Sequence, residues 1–310
     1  MNTVREAVED YIAMRRALGF KLRDAGTWLP DFVSFLEQQG ASFITTSLAL
    51  KWAQKPATTQ PVEWARRLSW VRGFSRYRSA TDSRTEIPPL GLLPHRPRRA
   101  RPYLYSNEEI QRLLAAALNL QPAAGLRRWT YHCLFGLLAA SGLRIGEALA
   151  LKNEDVDWDQ GVLRVLGKFG KPRLVPLHAS TQKVLCDYRS RRDRCLTERP
   201  SCYFFRIRKS GQRLHRATVK QTFYSLSRQI GLRDPSSSHG PRLHDFRHRF
   251  AVQTLLGWYR SGEDAERRLP VLSTYLGHGH VRDTYWYLTA YPELMAQAMG
   301  RLEKRWEVQS

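Results

Sequence analysis

Apolar residues recur along this chain at three- and four-residue spacing far more often than they alternate, so most of it reads as helix. Val4, Val8, Tyr11, Ile12 and Leu18 fall on one stripe that Gly19 closes. Trp28, Leu29, Phe32, Val33, Phe35 and Leu36 make a second stripe, stopped by Gly40. Thr46 and Ser47 are placed to cap a short third helix carrying Leu48, Leu50 and Trp52. Pro61 opens a longer fourth, with Trp64, Leu68, Val71 and Phe74 on its apolar side. Residues 1–86 are thus expected to form a helical unit. The pattern then breaks. Pro88, Pro89, Pro94, Pro97 and Pro102, mixed with Arg96, Arg98, Arg99 and Arg101, make 87–103 an extended, basic, semi-rigid linker.

Periodicity resumes at Leu104. Ser106 and Glu109 form a capping box ahead of Ile110, Leu113 and Leu114. A strongly apolar helix is predicted over 129–140, ended by Ser141 and Gly142. Only afterwards does alternation appear. Residues 161–166 and 173–177 read as strands joined by Gly167-Lys168-Phe169-Gly170-Lys171-Pro172, a turn that holds up two lysines. A helix near 181–194, a short strand at 203–205 and a helix through Val219, Phe223, Leu226 and Ile230 follow. A serine loop at 236–238 leads to a helix beginning near His244. The fold class is mainly α with a small β-sheet: the helical unit, the linker, and a mixed α/β unit over 104–310.

Charge changes the picture. Fifty Lys and Arg residues stand against 28 Asp and Glu, a net +22. That excess points to a polyanion, either nucleic acid or an anionic membrane surface. Arg66, Arg67, Arg72, Arg76 and Arg78 lie along the fourth helix with few acidic neighbours, and are expected to face phosphates. No apolar run reaches the ~18 residues of a membrane span. The first residues lack the apolar core of a secretion signal, so a cytoplasmic, nucleoid-associated protein is expected. Cys133, Cys186, Cys195 and Cys202 form no Cys-x-x-Cys and read as packed thiols.

The candidate chemistry lies between 242 and 291. His244, Arg247 and His248 are three and four residues apart and share one helix face. His278 and His280 follow, then Tyr285, Tyr287 and Tyr291. Arginine clamps oxygens in a planar fork, imidazole moves protons near neutral pH, and a phenolate can attack phosphorus. Together these types suit a phosphate. Plainer readings compete. A His pair at helical spacing is often a packed core pair. The same spacing serves zinc, but His-Asp-Phe-Arg-His lacks the metalloprotease glutamate, and its arginine would repel a cation. No metal is therefore assigned.

Taken in order, these elements resemble the tyrosine recombinase, or phage-type integrase, family. Ser141-Gly142-Leu143-Arg144-x-x-Glu147 is similar to its first arginine box. Gly167-Lys168 with Arg173-x-Val175-Pro176-Leu177 matches its hairpin lysine, and His244-x-x-Arg247-His248 its second box. Leu276-Gly277-His278 matches the next, and Tyr287 stands at the family's distance after that histidine. The segment around 284–290 and the basic N-terminal region are also similar to recombinases of mobile elements, including those encoded as trios. One departure is the long interval between Arg247 and His278, where 257–269 is expected to form an added helix–loop.

The resemblance implies a core-binding domain and a catalytic domain forming a C-shaped clamp on double-stranded DNA. It implies cleavage and rejoining through a 3′-phosphotyrosyl bond, with no metal and no cofactor. Tyr287 would be the nucleophile, with Arg144, Arg247 and His278 on the phosphate oxygens. His244 would assist proton transfer, and Lys168, preferred over Lys171, would protonate the leaving 5′-oxygen. Glu147 and His248 would be supports. Lys171 and Arg173 join the helix-four and linker arginines as expected DNA contacts. A homo- or hetero-tetramer on paired sites, with sister recombinases, is the implied assembly. An apolar face of Leu294, Met295, Ala298 and Met299 is expected to be available to a neighbouring protomer. Three alternatives share parts of this pattern: a non-catalytic DNA-binding accessory protein, a type IB topoisomerase and a metal-dependent histidine nuclease.

Overall fold

Thr3 and Glu6 form a reciprocal capping box that starts the first helix, α1 (Val4–Ala17), in the computed structural model. The structure describes residues 3–55, 59–94, 102–167, 170–196, 201–207, 212–237, 239–290, 293–296 and 299–300. The chain divides into two compact units, Met1–Ala100 and Arg101–Ser310. Among the described residues of the first, α1 is followed by α2 (Ala25–Gln38), α3 (Thr46–Gln54) and α4 (Pro61–Arg78). Thr45, one residue earlier than the sequence suggested, caps α3 by accepting from the Leu48 N–H. Leu29, Phe32, Trp52, Leu68, Val71 and Phe74 fill the core.

The expected basic face of α4 is not one face. Arg67 is buried. Its guanidinium lies 4.0 Å over the Trp52 ring and 4.5 Å over Trp28, and it donates to the Trp52 carbonyl. Arg78 is also buried, 3.6 Å from the Asp82 carboxylate. Helix phase explains both. Arg67, Val71, Phe74 and Arg78 stand at i, i+4, i+7 and i+11, the stripe that faces the core. Arg72 donates to the carbonyls of Pro88 and Pro89, tying down the start of the linker. Arg66 pairs with Asp24 and Glu63, so acidic partners exist that the sequence did not disclose. Arg76 is exposed. Arg96, Arg98, Arg99 and Arg101 lie outside the described residues.

The second unit opens with the Ser106/Glu109 box and α5 (Asn107–Leu118). Next come α6 (Arg127–Ser141) and the short α7 (Ile145–Ala150). β1 (Val156–Asp157), β2 (Val162–Leu166) and β3 (Pro172–Pro176) form an antiparallel sheet in that order, with Leu163 opposite Val175 and Val165 opposite Arg173. The helices α8 (Ala179–Cys195), α9 (Arg216–Gln229), α10 (Asp245–Arg260), α11 (Ala265–Leu276) and α12 (Arg282–Ala290) complete it. One core gathers around α6, where Tyr131, Leu134 and Phe135 meet Phe204, Phe223 and Phe246. A second joins α10, α11 and α12 through Leu255, Leu269, Leu276 and Tyr287.

Two expectations change here, and the helix–loop expected over 257–269 gains detail. The strand expected at 203–205 is a single bridge from Lys152 to Tyr203. Phe204 and Phe205 are both buried, which strand alternation would not allow on one face. The added segment 257–269 is the last turn of α10, a tight turn, and the first turn of α11 capped by Asp264. Leu294 is buried in the unit's own core rather than available, whereas Met295 and Met299 are exposed. Ala298 lies outside the described residues. No helix among the described residues is long and apolar enough to cross a membrane.

Candidate active site

The three arginines that matter are organised by the C-terminus of α11. A helix leaves its last carbonyls without intrahelical partners, and its dipole makes that end negative. Here Gly277 adopts a left-handed conformation (φ 65°) and closes the helix in a Schellman arrangement. The Gly277 N–H donates to the Thr274 carbonyl and the His278 N–H to the Ser273 carbonyl. The freed carbonyls of Tyr275, Leu276 and Gly277 then receive guanidinium groups. Arg173 Nε donates to Tyr275 O, Arg247 Nη2 to Leu276 O, and Arg144 to both Leu276 O and Gly277 O. A Cβ at position 277 would stand 3.0 Å from Arg173 Nη1, so the glycine is needed for its conformation and for this approach.

A second left-handed glycine, Gly142 (φ 62°), ends α6 against the ring of Phe250. Its carbonyl accepts from Arg247 Nη1 at 3.1 Å. Arg144 is the residue before α7, and Glu147 folds back to accept from its N–H and its Nη1, each at 2.9 Å. The same carboxylate accepts a bidentate pair from Arg173, at 3.0 and 2.8 Å. Arg173 is thus a buried-site residue rather than the DNA contact the sequence suggested. Burial raises the Glu147 pKa, but the bonds from Arg173 and Arg144 outweigh it and hold the carboxyl below its ordinary value.

The imidazoles stand beside these charges. His244 stands at the N-terminus of α10, and its ring meets that of His248 edge-on at 4.7 Å. His278 Nδ1 is 2.8 Å from the hydroxyl of the fully buried Thr284. Tyr287 is 2 % exposed, its ring 5.5 Å from His248 and 6.2 Å from His278, while Tyr285 is 48 % exposed. Tyr291 and Lys168 lie outside the described residues. Burial, and then the positive charge of Arg247, lowers both the His244 and His278 pKa to about 4. Both rings are therefore neutral at pH 7.

A stability consequence follows by linkage. Above pH 6.5, the ordinary imidazole value, the two rings are neutral in folded and unfolded chain alike. As pH falls from there toward about 4, the unfolded chain takes up protons that the folded one refuses, so stability declines. The melting temperature is expected to drop across that window. It should drop less in a His244→Asn/His278→Asn double variant, and an unchanged pH slope there would assign the effect to other groups.

Arg144, Glu147, His244 and the turn residue Gly167 line one cleft of about 560 Å³. Its remaining wall carries Arg216 and Lys220 of α9, and Arg242. Sequence reading missed these three as site residues. Only the one-turn spacing of Arg216 and Lys220 hinted at a shared face. Among the described residues no cluster of three or more His, Cys, Asp or Glu side chains could hold a metal ion.

The model of the phage integrase family matches residues 104–293. An integrase/recombinase of Sinorhizobium fredii (strain NBRC 101917 / NGR234), y4rB, is 59 % identical over 99 % of each chain. The tyrosine recombinase XerD of Caulobacter vibrioides is 34 % identical over 76 % of this chain and 73 % of its own. Among solved structures, a lambda integrase tetramer bound to a Holliday junction has the same fold. It is 18 % identical, with a TM-score of 0.61 over 90 % of this chain and 78 % of that one.

Proposed function

The chain belongs to the phage integrase family, the tyrosine recombinases that cut and rejoin DNA, and we propose that Tyr287 is its nucleophile and a site on a mobile element its substrate. The observation that carries the reading is the fixed pair Arg144 and Arg247 on the α11 carbonyls, beside two neutral imidazoles and a buried phenol. In the pentavalent transition state, negative charge grows on the non-bridging oxygens. Preorganised cationic donors stabilise that charge without reorganising. Arg247 donates to Gly142 O and Leu276 O, which fixes the plane in which its guanidinium meets phosphate.

The Tyr287 oxygen forms a bond to phosphorus as the P–O5′ bond breaks, leaving a 3′-phosphotyrosyl link. The phenol proton passes to His244. Burial depresses this imidazole most and the Arg247 charge next, and the second of these weakens once an anionic phosphate sits between the arginines. Lys168 supplies the proton to the 5′-oxygen. A 5′-hydroxyl from another strand reverses the step, and the bond energy retained in the phosphotyrosine removes any need for ATP. His278 donates to the phosphate, while Glu147 and His248 support the arginines and the phenol. Because Arg247 and Tyr287 are 1 % and 2 % exposed, α12 must shift to admit a phosphodiester.

The surrounding phosphates are assigned to Arg216, Lys220, Lys171 and Arg76, and to linker residues Arg96, Arg98, Arg99 and Arg101. The reading includes a homo- or hetero-tetramer on paired sites, acting in the nucleoid. Nicked duplexes drawn from DNA flanking the gene test it. A protein–DNA adduct that survives denaturant, formed equally with and without chelator, is expected. Cleavage that leaves no adduct and stops with chelator would instead indicate a metal-dependent nuclease.

A further inference from the structure

Arg173 was expected on DNA and is found inside the site, where it does not line the phosphate cleft. Its position is unusual in what it joins. It stands on β3 opposite Val165, next to Pro172, which closes the strand pair opposite Leu166. The Gly167 N–H donates to the Lys171 carbonyl at 2.8 Å, so the root of the lysine turn lies two residues before Arg173. A Cβ on Gly167 would lie 3.4 Å from Arg173 Nη1, which places the guanidinium directly against that root. The same guanidinium spends its other contacts on fixed points. Nε holds Tyr275 O at 2.7 Å, and Nη1 and Nη2 hold the Glu147 carboxylate, which in turn holds Arg144.

We propose that Arg173 is a positioning residue that locks the β2–β3 turn to the arginine cluster, so that the turn's lysine and the phosphate clamp keep one fixed spacing. The inference rests on the proposed transesterification. Its physical basis is geometric. Leu166 and Leu174, on the outer side of the strands that lead to the tip, are exposed and contribute no packing there. A proton donor delivered from that tip must nevertheless reach the leaving oxygen within hydrogen-bond distance. The bidentate Arg173–Glu147 pair supplies the missing constraint, with a geometry that a lysine's point charge does not reproduce.

The test uses leaving-group chemistry. A 5′-bridging sulfur leaves as a thiolate and needs no proton, whereas a 5′-bridging oxygen does. Arg173→Met and Arg173→Lys, in the full-length protein, are expected to slow formation of the covalent adduct about 10²-fold on the oxygen substrate. On the 5′-thio substrate they should stay within about fivefold of the unsubstituted protein. The oxygen-to-sulfur ratio is taken within each preparation, so any loss of folded protein cancels, and the lysine variant keeps a cation beside Glu147. Equal slowing on both substrates overturns the proposal. Lys168→Ala serves as a benchmark for the underlying reading. If it shows no sulfur rescue while the Arg173 variants do, Lys168 is not the acid but Arg173 still positions one carried on the turn. Rescue of Lys168→Ala without rescue of the Arg173 variants rejects Arg173 alone.

Discussion

Tyr287→Phe is expected to abolish the covalent protein–DNA adduct while leaving DNA affinity nearly unchanged. The phenol oxygen is the atom that would bond to phosphorus, so its removal leaves no slower version of the same path. The ring is what packs. It is buried with Leu255, Leu276 and Leu294 and contacts His248 and His278, and phenylalanine keeps that volume. Two other tyrosines lie close in sequence. Tyr285 is half-exposed on the opposite side of α12, and Tyr285→Phe should retain the adduct. Tyr291→Phe should also retain it, since helical backbone is disfavoured at a residue preceding proline, here Pro292. Tryptic mapping of the adduct should recover DNA on the peptide containing Tyr287. An adduct still formed by Tyr287→Phe would move the nucleophile elsewhere.

Much of this arrangement was legible in residue spacing. The capping boxes at Thr3 and Ser106, the stripes of α1, α2 and α6, and the strand pair around Gly167 depend on neighbours within a few residues. So do the types of the site residues, because arginine, imidazole and phenol at helical or box spacing carry their chemistry with them. The frame holding them was not legible. Arg144 meets Leu276 and Gly277 across more than 130 positions, and what it meets is backbone carbonyl, which every residue possesses. Thr284 gave no signal either, since its link to His278 depends on the turn into α12.

Charge alone places Arg67 and Arg78 outside, but their phase with Val71 and Phe74 puts them on the core stripe. Arg173 shares the inner face of β3 with the buried Val175, two residues on, while apolar Leu174 points outward. There hydrophobicity named the wrong face, because the inner one was reserved for an ion pair. Burying such a pair is unfavourable unless both partners are fully bonded. Glu147, with two arginines and a backbone N–H, meets that condition.

Arg247→Lys is the substitution expected to separate charge from geometry most sharply. Adduct formation should fall by about 10²–10³-fold, the usual cost of removing an aligned donor from a charge-stabilising site. Arg247 is 1 % exposed and spans two carbonyls, Gly142 O at the end of α6 and Leu276 O at the end of α11. A single ammonium cannot hold both and still present a planar pair to phosphate. The melting temperature should drop as well, because one buried carbonyl loses its donor at a cost of about 1–3 kcal/mol. Burial, with the nearby Arg144 charge acting in the same direction, already pushes the Arg247 pKa down to about 10. A lysine there starts from a lower intrinsic value and meets the same penalty, so it is closer to losing its proton. The variant's deficit should therefore widen as pH rises from 7 to 9, whereas the unsubstituted site keeps its charge. DNA affinity of the full-length variant gives the control: retained affinity with lost cleavage places the defect at the phosphate. Cleavage within about tenfold of the unsubstituted protein would show that Arg247 serves the fold and leaves the transition state to Arg144.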